Sequence, residues 1–277
     1  MKKVIALLLS LLLVMALLAG CGDTATPAEG EDGQQQTTEG TDKGTTGSAL
    51  EEIKSNGKIV MLTNATFPPF EYVKNGEVTG VDVDVANAIA ADLGVELEIL
   101  DMNFDLLIDA VKAGKGDFVA AGLTVDPDRA KQVDFSTEYV KSSLYIIVQA
   151  GSDITKDTLD GKVLAVQEST TGDFYATDNV EAKNVLRFKS AVEAGSALKS
   201  GKCDAVIIDE LPAQAIAANS DGALEVLPDK LTKESYALAV KKGNSDLLEA
   251  INATLQQLID DGKIDEFTQN HMDAETE

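Results

Sequence analysis

Residues Ala113–Val119 read AGKGDFV, and residues Ser200–Val206 read SGKCDAV, 87 residues later. Each stretch follows a segment with apolar residues at helical spacing and runs into a short apolar run. A glycine directly after a helix suits the left-handed position that ends it. The runs that follow, Phe118–Ala121 and Ala205–Ile208, read as buried strands. A helix, a glycine stop and a strand recur in any α/β protein, so one domain is compatible with a single such unit. The repeat of the whole order of residue types points to two α/β lobes of similar plan.

Working outward, strands and helices alternate. Ala49–Ser55 reads as a helix and Lys58–Thr63 as an apolar strand. NATFPPFEY (Asn64–Tyr72) is a turn rich in proline and aromatics, and Lys74–Glu77 has hairpin chemistry. Val85, Ala88, Ile89 and Leu93 recur at helical spacing before Gly94. Val95–Leu100 alternates like a strand, and Asp105 is a candidate cap for a helix bearing Leu107, Ala110 and Val111. Further on, Leu144–Val148 and Val163–Val166 read as strands and Ala191–Lys199 as a helix. An alanine-rich helix is expected from Pro212 to about Asn219, a strand over Tyr236–Val240, and an amphipathic helix over Leu247–Ile259. Ligands of such folds lie in the cleft at the carboxyl ends of the strands. Here those ends are Asn64–Phe70, Gly122–Thr124, Gln167–Gly172 and Asp209.

Composition narrows the possible roles. The chain has 277 residues and a formal net charge of −24. That charge disfavours nucleic acid and anionic membrane faces as partners. The single histidine, His271, gives no Ser-His or Cys-His pair and no histidine-based metal site. There is no phosphate-binding loop of the G-x-x-x-x-G-K-[ST] type. No cofactor, metal or catalytic residue is therefore expected.

The amino terminus reads as an export signal. Lys2 and Lys3 precede an apolar run, Val4–Leu18, too short to span a membrane comfortably. It ends in Leu18-Ala19-Gly20-Cys21, which resembles the bacterial lipoprotein signal, in which the cysteine is acylated. An ordinary secretory signal with a chance cysteine is the alternative. Gly22–Ser48 lacks aromatic and large aliphatic residues and is expected to be a disordered tether. Cys203 then has no intramolecular partner and reads as a small buried residue.

Four groups of residues are candidates for a site. Arg129 follows Asp126-Pro127, a helix start, where a cation opposes the helix dipole. It is either a surface arginine paired with Asp126 or Asp134, or a guanidinium that meets a carboxylate ligand near Thr124. Asp209, after Val206-Ile207-Ile208, either caps the next helix or takes a ligand ammonium. Ser169–Gly172 is either a plain N-cap or a set of backbone N–H groups aimed at an anion. Phe67, Phe70 and Phe104 either wall a cleft or fill a core.

These stretches together resemble a known family. Phe67–Tyr72 (FPPFEY), Gly80–Ala86 (GVDVDVA), Ala121–Thr124 with Arg129, Val133–Ser136 (VDFS), Gln167 with Thr170–Gly172, and Ile208-Asp209 occur in that order. The chain is similar to the extracellular solute-binding proteins of ABC importers, family 3, from about Glu51 to Phe267. Each motif is of moderate specificity; the order and spacing together are specific.

The resemblance implies a two-lobed periplasmic-binding-protein fold of type II, with two crossover strands forming a hinge. Lobe one is expected over 49–138 and 239–277, and lobe two over 143–238, with crossovers near Tyr139–Ser142 and Tyr236–Val240. It implies closure on an L-amino acid, polar or basic, and its delivery to permease subunits of an ABC importer. Arg129 would bind the α-carboxylate, with Thr124 and the backbone at Thr170 and Thr171. Asp209 would take the α-ammonium with the Gly122 carbonyl. Phe67 and Phe104 would sandwich the side chain. Asn64, Gln167, Glu168 and Ile208 would set its specificity, and Asn64 stands where several members carry Asp. The expected protein is a non-enzymatic monomer outside the cytoplasm, lipid-anchored through Cys21. Two rival readings are a cyclohexadienyl dehydratase-like enzyme on the same fold, with Glu168 as general acid, and a sensor module.

Overall fold

The structure, a computed structural model, describes residues 48–275. The expected signal segment, Cys21 included, and the tether up to residue 47 lie outside the described residues. Ser48, expected to close the tether, is the N-cap of the first helix, Ala49–Asn56. Its side chain accepts from the Glu51 N–H, and the Glu51 carboxylate accepts from the Ser48 N–H.

Two five-stranded sheets form the cores of two lobes. The first has the order Glu96–Asp101, Lys58–Thr63, Phe118–Val119, Ala239–Lys241, Val133–Phe135. The second has the order Asn184–Phe188, Val163–Gln167, Ala205–Asp209, Leu144–Gln149, Leu224–Val226. The plan is the same in both. Three parallel strands come first, and a strand from elsewhere in the chain then pairs antiparallel with the third.

The echoed heptads do one job twice. Gly114 and Gly201 both take a left-handed φ of 70° after their helices. Asp117 accepts from the Val60 N–H at 2.7 Å, and Asp204 accepts from the Val163 N–H at 2.7 Å. Each aspartate thus fastens the start of the third strand to the strand beside it.

Alternation along the strands explains the layers. Met61, Phe118 and Val240 face the helices Val81–Leu93 and Ser245–Asp260, packing with Ile89, Leu247 and Ile251. Their neighbours Leu62, Val119 and Ala239 face the helix Leu107–Lys112 on the other side. In the second sheet Ile147, Val206 and Ile208 pack towards Ala194, Leu198 and Ala213, while Ile146, Val148 and Ile207 face Ala176. Strands covered on both faces read as continuous apolar runs, which is why Leu144–Gln149 and Ala205–Asp209 carry so little polarity.

The lobes are joined by a short antiparallel pair, Val140–Ser142 with Glu234–Tyr236. The expected single strand Tyr236–Val240 is therefore two. Glu234–Tyr236 belongs to the crossover pair, and Ala239–Lys241 to the first sheet. The helix expected from Pro212 starts at Glu210, so Pro212 occupies the first turn, where an absent N–H costs nothing. Asp105 does not cap a helix: it lies inside a one-turn 3₁₀ segment, Phe104–Leu106, and its carboxylate meets Lys189. The carboxyl-terminal helix Lys263–Glu275 had no sequence expectation. It packs on the helix Val81–Leu93, where His271 contacts Asp84 at 2.8 Å and the Tyr72 hydroxyl at 3.1 Å.

Candidate ligand-binding site

The strand ends of the two sheets face each other across a narrow cavity. Its lining includes Phe67, Phe104, Gly122, Thr124 and Arg129 from the first lobe and Gln167, Thr170, Thr171 and Asp209 from the second.

Arg129 is placed there by a four-residue helix, Pro127–Ala130. Asp126 caps it by accepting from the N–H groups of Asp128 and Arg129. Asp126 is thereby occupied by backbone, and Asp134 by Lys242 and the Gly243 N–H. Arg129 pairs with neither. Its guanidinium is buried, 7% exposed, and donates to the Thr124 carbonyl at 3.0 Å and to the Ser169 carbonyl at 3.0 Å. The second of these bonds crosses between the lobes. The guanidinium also lies over the Phe104 ring at 5.3 Å. Burial lowers its pKa, opposed by Asp126, Glu234 and Asp209, but a guanidinium of this kind keeps its charge.

Asp209 ends its strand at the N-cap position of Glu210–Ala218 but makes no side-chain capping bond. The alternative of a plain helix cap is thus not what the side chain does. The carboxyl group is 5% exposed, and Oδ1 has no hydrogen-bond partner. Burial pushes its pKa up to about 7, partly offset by the hydroxyls of Tyr236 and Ser142. An acidic oxygen left unpartnered in an enclosed cavity is suited to a donor from a ligand.

The Gln167–Gly172 segment is shaped by its own hydrogen bonds. Thr170 caps the helix Thr171–Asp178 and also donates from its hydroxyl to the Gln167 carbonyl at 2.8 Å. Ser169 takes a left-handed φ of 64°, which turns its carbonyl to Arg129. Its N–H donates to Asp173 at 3.1 Å. Gly172 is tight against the Ile207 carbonyl, 2.7 Å from where a Cβ would stand. Gly122, at φ 51°, would place a Cβ 2.8 Å from the Phe67 ring.

Asn64 is next to the cavity rather than in its lining. Its Oδ1 accepts from Gln167 Nε2 at 2.8 Å, a second bond between the lobes, and its Nδ2 donates to the Met102 carbonyl. A third cross-lobe link is at the rim, where Lys189 meets Asp105 at 2.9 Å and Glu168 at 2.6 Å. Glu168 is engaged there and not in the cavity. Ile208 points away from the cavity into the second lobe's core, because its strand alternates and Asp209 takes the other direction. Phe70 is buried against Tyr236, with ring centroids 5.0 Å apart, and is core rather than cleft wall. Ser169–Gly172 was expected to offer N–H groups to an anion, but Ser169 serves through its carbonyl, since positive φ is not written in a serine. Glu71, in the cavity lining, escaped the sequence reading although it left a signal: an acidic residue inside the apolar run Phe67–Tyr72.

Among the described residues, no cluster of three or more His, Cys, Asp or Glu side chains has the makings of a metal site. Also among them, no helix is long and apolar enough to cross a membrane.

Two α/β lobes of one plan, linked by paired crossovers around a cavity holding one cation and one carboxyl group, define a bilobed binding protein of the type II periplasmic fold. The chain belongs to the bacterial extracellular solute-binding proteins, family 3, which it matches over residues 59–274. It is 34% identical to the ABC transporter glutamine-binding protein GlnH of Bacillus subtilis, over 96% of each chain. Among solved structures it is similar to AbpA of Streptococcus pneumoniae bound to L-arginine: 33% identity, a TM-score of 0.78, and 82% of this chain against 99% of that one. It is also similar to the arginine-bound form of truncated ArgBP from T. maritima, at 41% identity and a TM-score of 0.71, over 75% and 99% of the two chains. Members of this family work outside the cytoplasm as substrate-binding components of transport.

Proposed function

We propose that the chain binds a free polar or basic L-amino acid between its lobes and delivers it to the permease of an ABC importer. The observation that carries this reading is the pairing of buried Arg129 and Asp209, from facing lobes, in one cavity. The guanidinium suits an α-carboxylate, and the unpartnered oxygen of Asp209 suits an α-ammonium. Thr124, Thr170 and Thr171 support the carboxylate end, and the Gly122 carbonyl the ammonium end. Phe67 and Phe104 flank the side chain.

The far end favours a side chain that donates. Gln167 Nε2 is engaged by Asn64 Oδ1 and by the Lys189 carbonyl at 3.3 Å, which leaves Oε1 as an acceptor. A glutamine amide and an arginine guanidinium both offer N–H groups to it, whereas an acidic side chain does not. The relatives named above as glutamine- and arginine-binding agree with this chemistry.

Binding closes the lobes, 49–138 with 239–277 against 143–238, about the crossover pair, because only the closed form presents both charged ends at once. The bound form then engages permease subunits. Acylation of Cys21 holds the protein at the outer face of the cytoplasmic membrane, and Cys21→Ser should move it to the soluble fraction on fractionation. A thermal-shift screen against the common amino acids and cystine tests the central statement. A rise in melting temperature is expected with arginine, glutamine or a near relative of them. A flat response to all would refute it.

A further inference from the structure

Two side chains of the family motifs have no part in the reading above. Glu71 comes from the Phe67–Tyr72 run and Asp82 from Gly80–Ala86. Both are buried, at 1% and 0% exposure. Glu71 is part of the cavity lining, and no N–H or hydroxyl donor reaches either of its oxygens. The polar group beside it is the carboxyl of Asp82. Both Asp82 oxygens are already engaged: Oδ2 accepts from the Gly122 N–H at 2.8 Å, and Oδ1 from the Tyr139 hydroxyl at 2.5 Å.

The backbone keeps the two carboxyls together. The Val81 N–H donates to the Pro69 carbonyl and the Asp82 N–H to the Phe70 carbonyl, which fixes the helix start against the strand of Glu71. Gly80 allows this approach, since a Cβ there would fall 2.1 Å from the Phe70 carbonyl oxygen. Two adjacent buried carboxylates cannot both hold a charge. One proton between them converts the clash into a hydrogen bond. Asp82 is the better anion, with two donors and a place in the first turn of Val81–Leu93. Glu71 has neither. Burial and the neighbouring Asp82 raise the Glu71 pKa well above the carboxylate range, while burial brings Asp82 only to about 6. Asp101, Asp209 and the hydroxyls of Tyr139 and Tyr236 also act on the pair, and the cation that shares the cavity lining with Glu71 is Arg129, held by the Thr124 and Ser169 carbonyls.

We infer that Glu71 is a neutral carboxylic acid donating its proton to Asp82, and that this pair holds the Gly122 backbone on the cleft floor in register with the Tyr139 crossover. Glu71 and Asp82 are positioning residues. They act through Gly122, whose carbonyl faces the ligand ammonium, and through Tyr139, which begins the crossover. The floor's purpose rests on the amino-acid-binding reading; the shared proton does not.

Infrared spectroscopy in D₂O at about pH 8.5, above the titration of Asp209, reads the proton directly. The protein should show a protonated-carboxyl stretching band that shifts when glutamate is ¹³C-labelled and is lost in Glu71→Gln. No such band, or a band insensitive to glutamate labelling, overturns the shared proton. Calorimetry with arginine and glutamine reads the positioning role. Glu71→Gln keeps an N–H donor for Asp82 and should bind within about threefold of wild type, whereas Glu71→Ala should lose about tenfold or more. Equal affinity for wild type and Glu71→Ala overturns the positioning role. A wild-type protein that binds no amino acid overturns the functional reading and with it the floor's purpose, while the labelled band still decides the proton.

Discussion

Replacing Asp209 by asparagine should move affinity and stability in opposite directions. The carboxyl group is 5% exposed, and its pKa stands at about 7 against an ordinary 3.8. The folded state therefore keeps this proton between pH 4 and 7, where the unfolded chain has released it. Stability from this group is full below pH 4, falls as pH rises to 7, and stays low above. One pKa unit is about 1.4 kcal/mol, so burial of the charge costs about 4 kcal/mol at pH 8 and about 2 kcal/mol at pH 5. The uncharged amide of the Asp209→Asn variant would carry no such penalty at either pH. For a chain of this size about 2 kcal/mol is roughly 5 °C in melting temperature. Differential scanning calorimetry should show the variant's melting temperature, relative to wild type, rising by about 5 °C between pH 5 and pH 8. In the same protein the ligand ammonium loses its buried partner, a loss of about 3–5 kcal/mol, or roughly 10²–10⁴-fold in affinity. A variant destabilised at pH 8 relative to pH 5, or one that binds its amino acid normally, would refute the reasoning.

Two further outcomes follow from the cleft geometry. Gly122→Ala adds a Cβ 2.8 Å from the Phe67 ring at a φ of 51°. It should lower stability by about 1–3 kcal/mol in urea unfolding and weaken amino-acid binding as the floor shifts. Lys189→Met removes the rim link between Asp105 and Glu168. Because Lys189 is half-exposed, the loss should be small, read as a roughly two- to fivefold faster ligand release at low salt. The difference should vanish at about 1 M salt.

The repeated G-K-x-D heptads carried most of the fold. Their glycines end helices and their aspartates fasten the third strand of each sheet, so residue identity and position convey the same information. The strand ends that hold Arg129, Thr124, Thr170, Thr171 and Asp209 follow from the order of elements, but local spacing left Arg129 and Asp209 open between surface or cap roles and a ligand, and only the family resemblance chose between them. Ile208 was misplaced for the opposite reason, and Phe70 was left open between cleft wall and core. Which face of a strand or turn meets the cavity depends on register with its neighbours, and a two-residue period leaves that open. The split of Tyr236–Val240 into two strands was hidden because an apolar run does not show where the chain passes from one sheet to another. The short helix Pro127–Ala130 was found from its cap alone, whereas the polar helix Lys263–Glu275, held by His271 and few apolar residues, offered no strong period.

Isothermal titration calorimetry of Arg129→Met, against the amino acid that most raises the wild-type melting temperature, bears most directly on the account. With the fold retained by circular dichroism, the account predicts affinity weakened by roughly 10²–10⁴-fold, since a buried carboxylate partner is worth about 3–5 kcal/mol. Affinity within a few-fold of wild type would contradict the claim that this guanidinium and the carboxyl of Asp209 grip the two ends of the ligand.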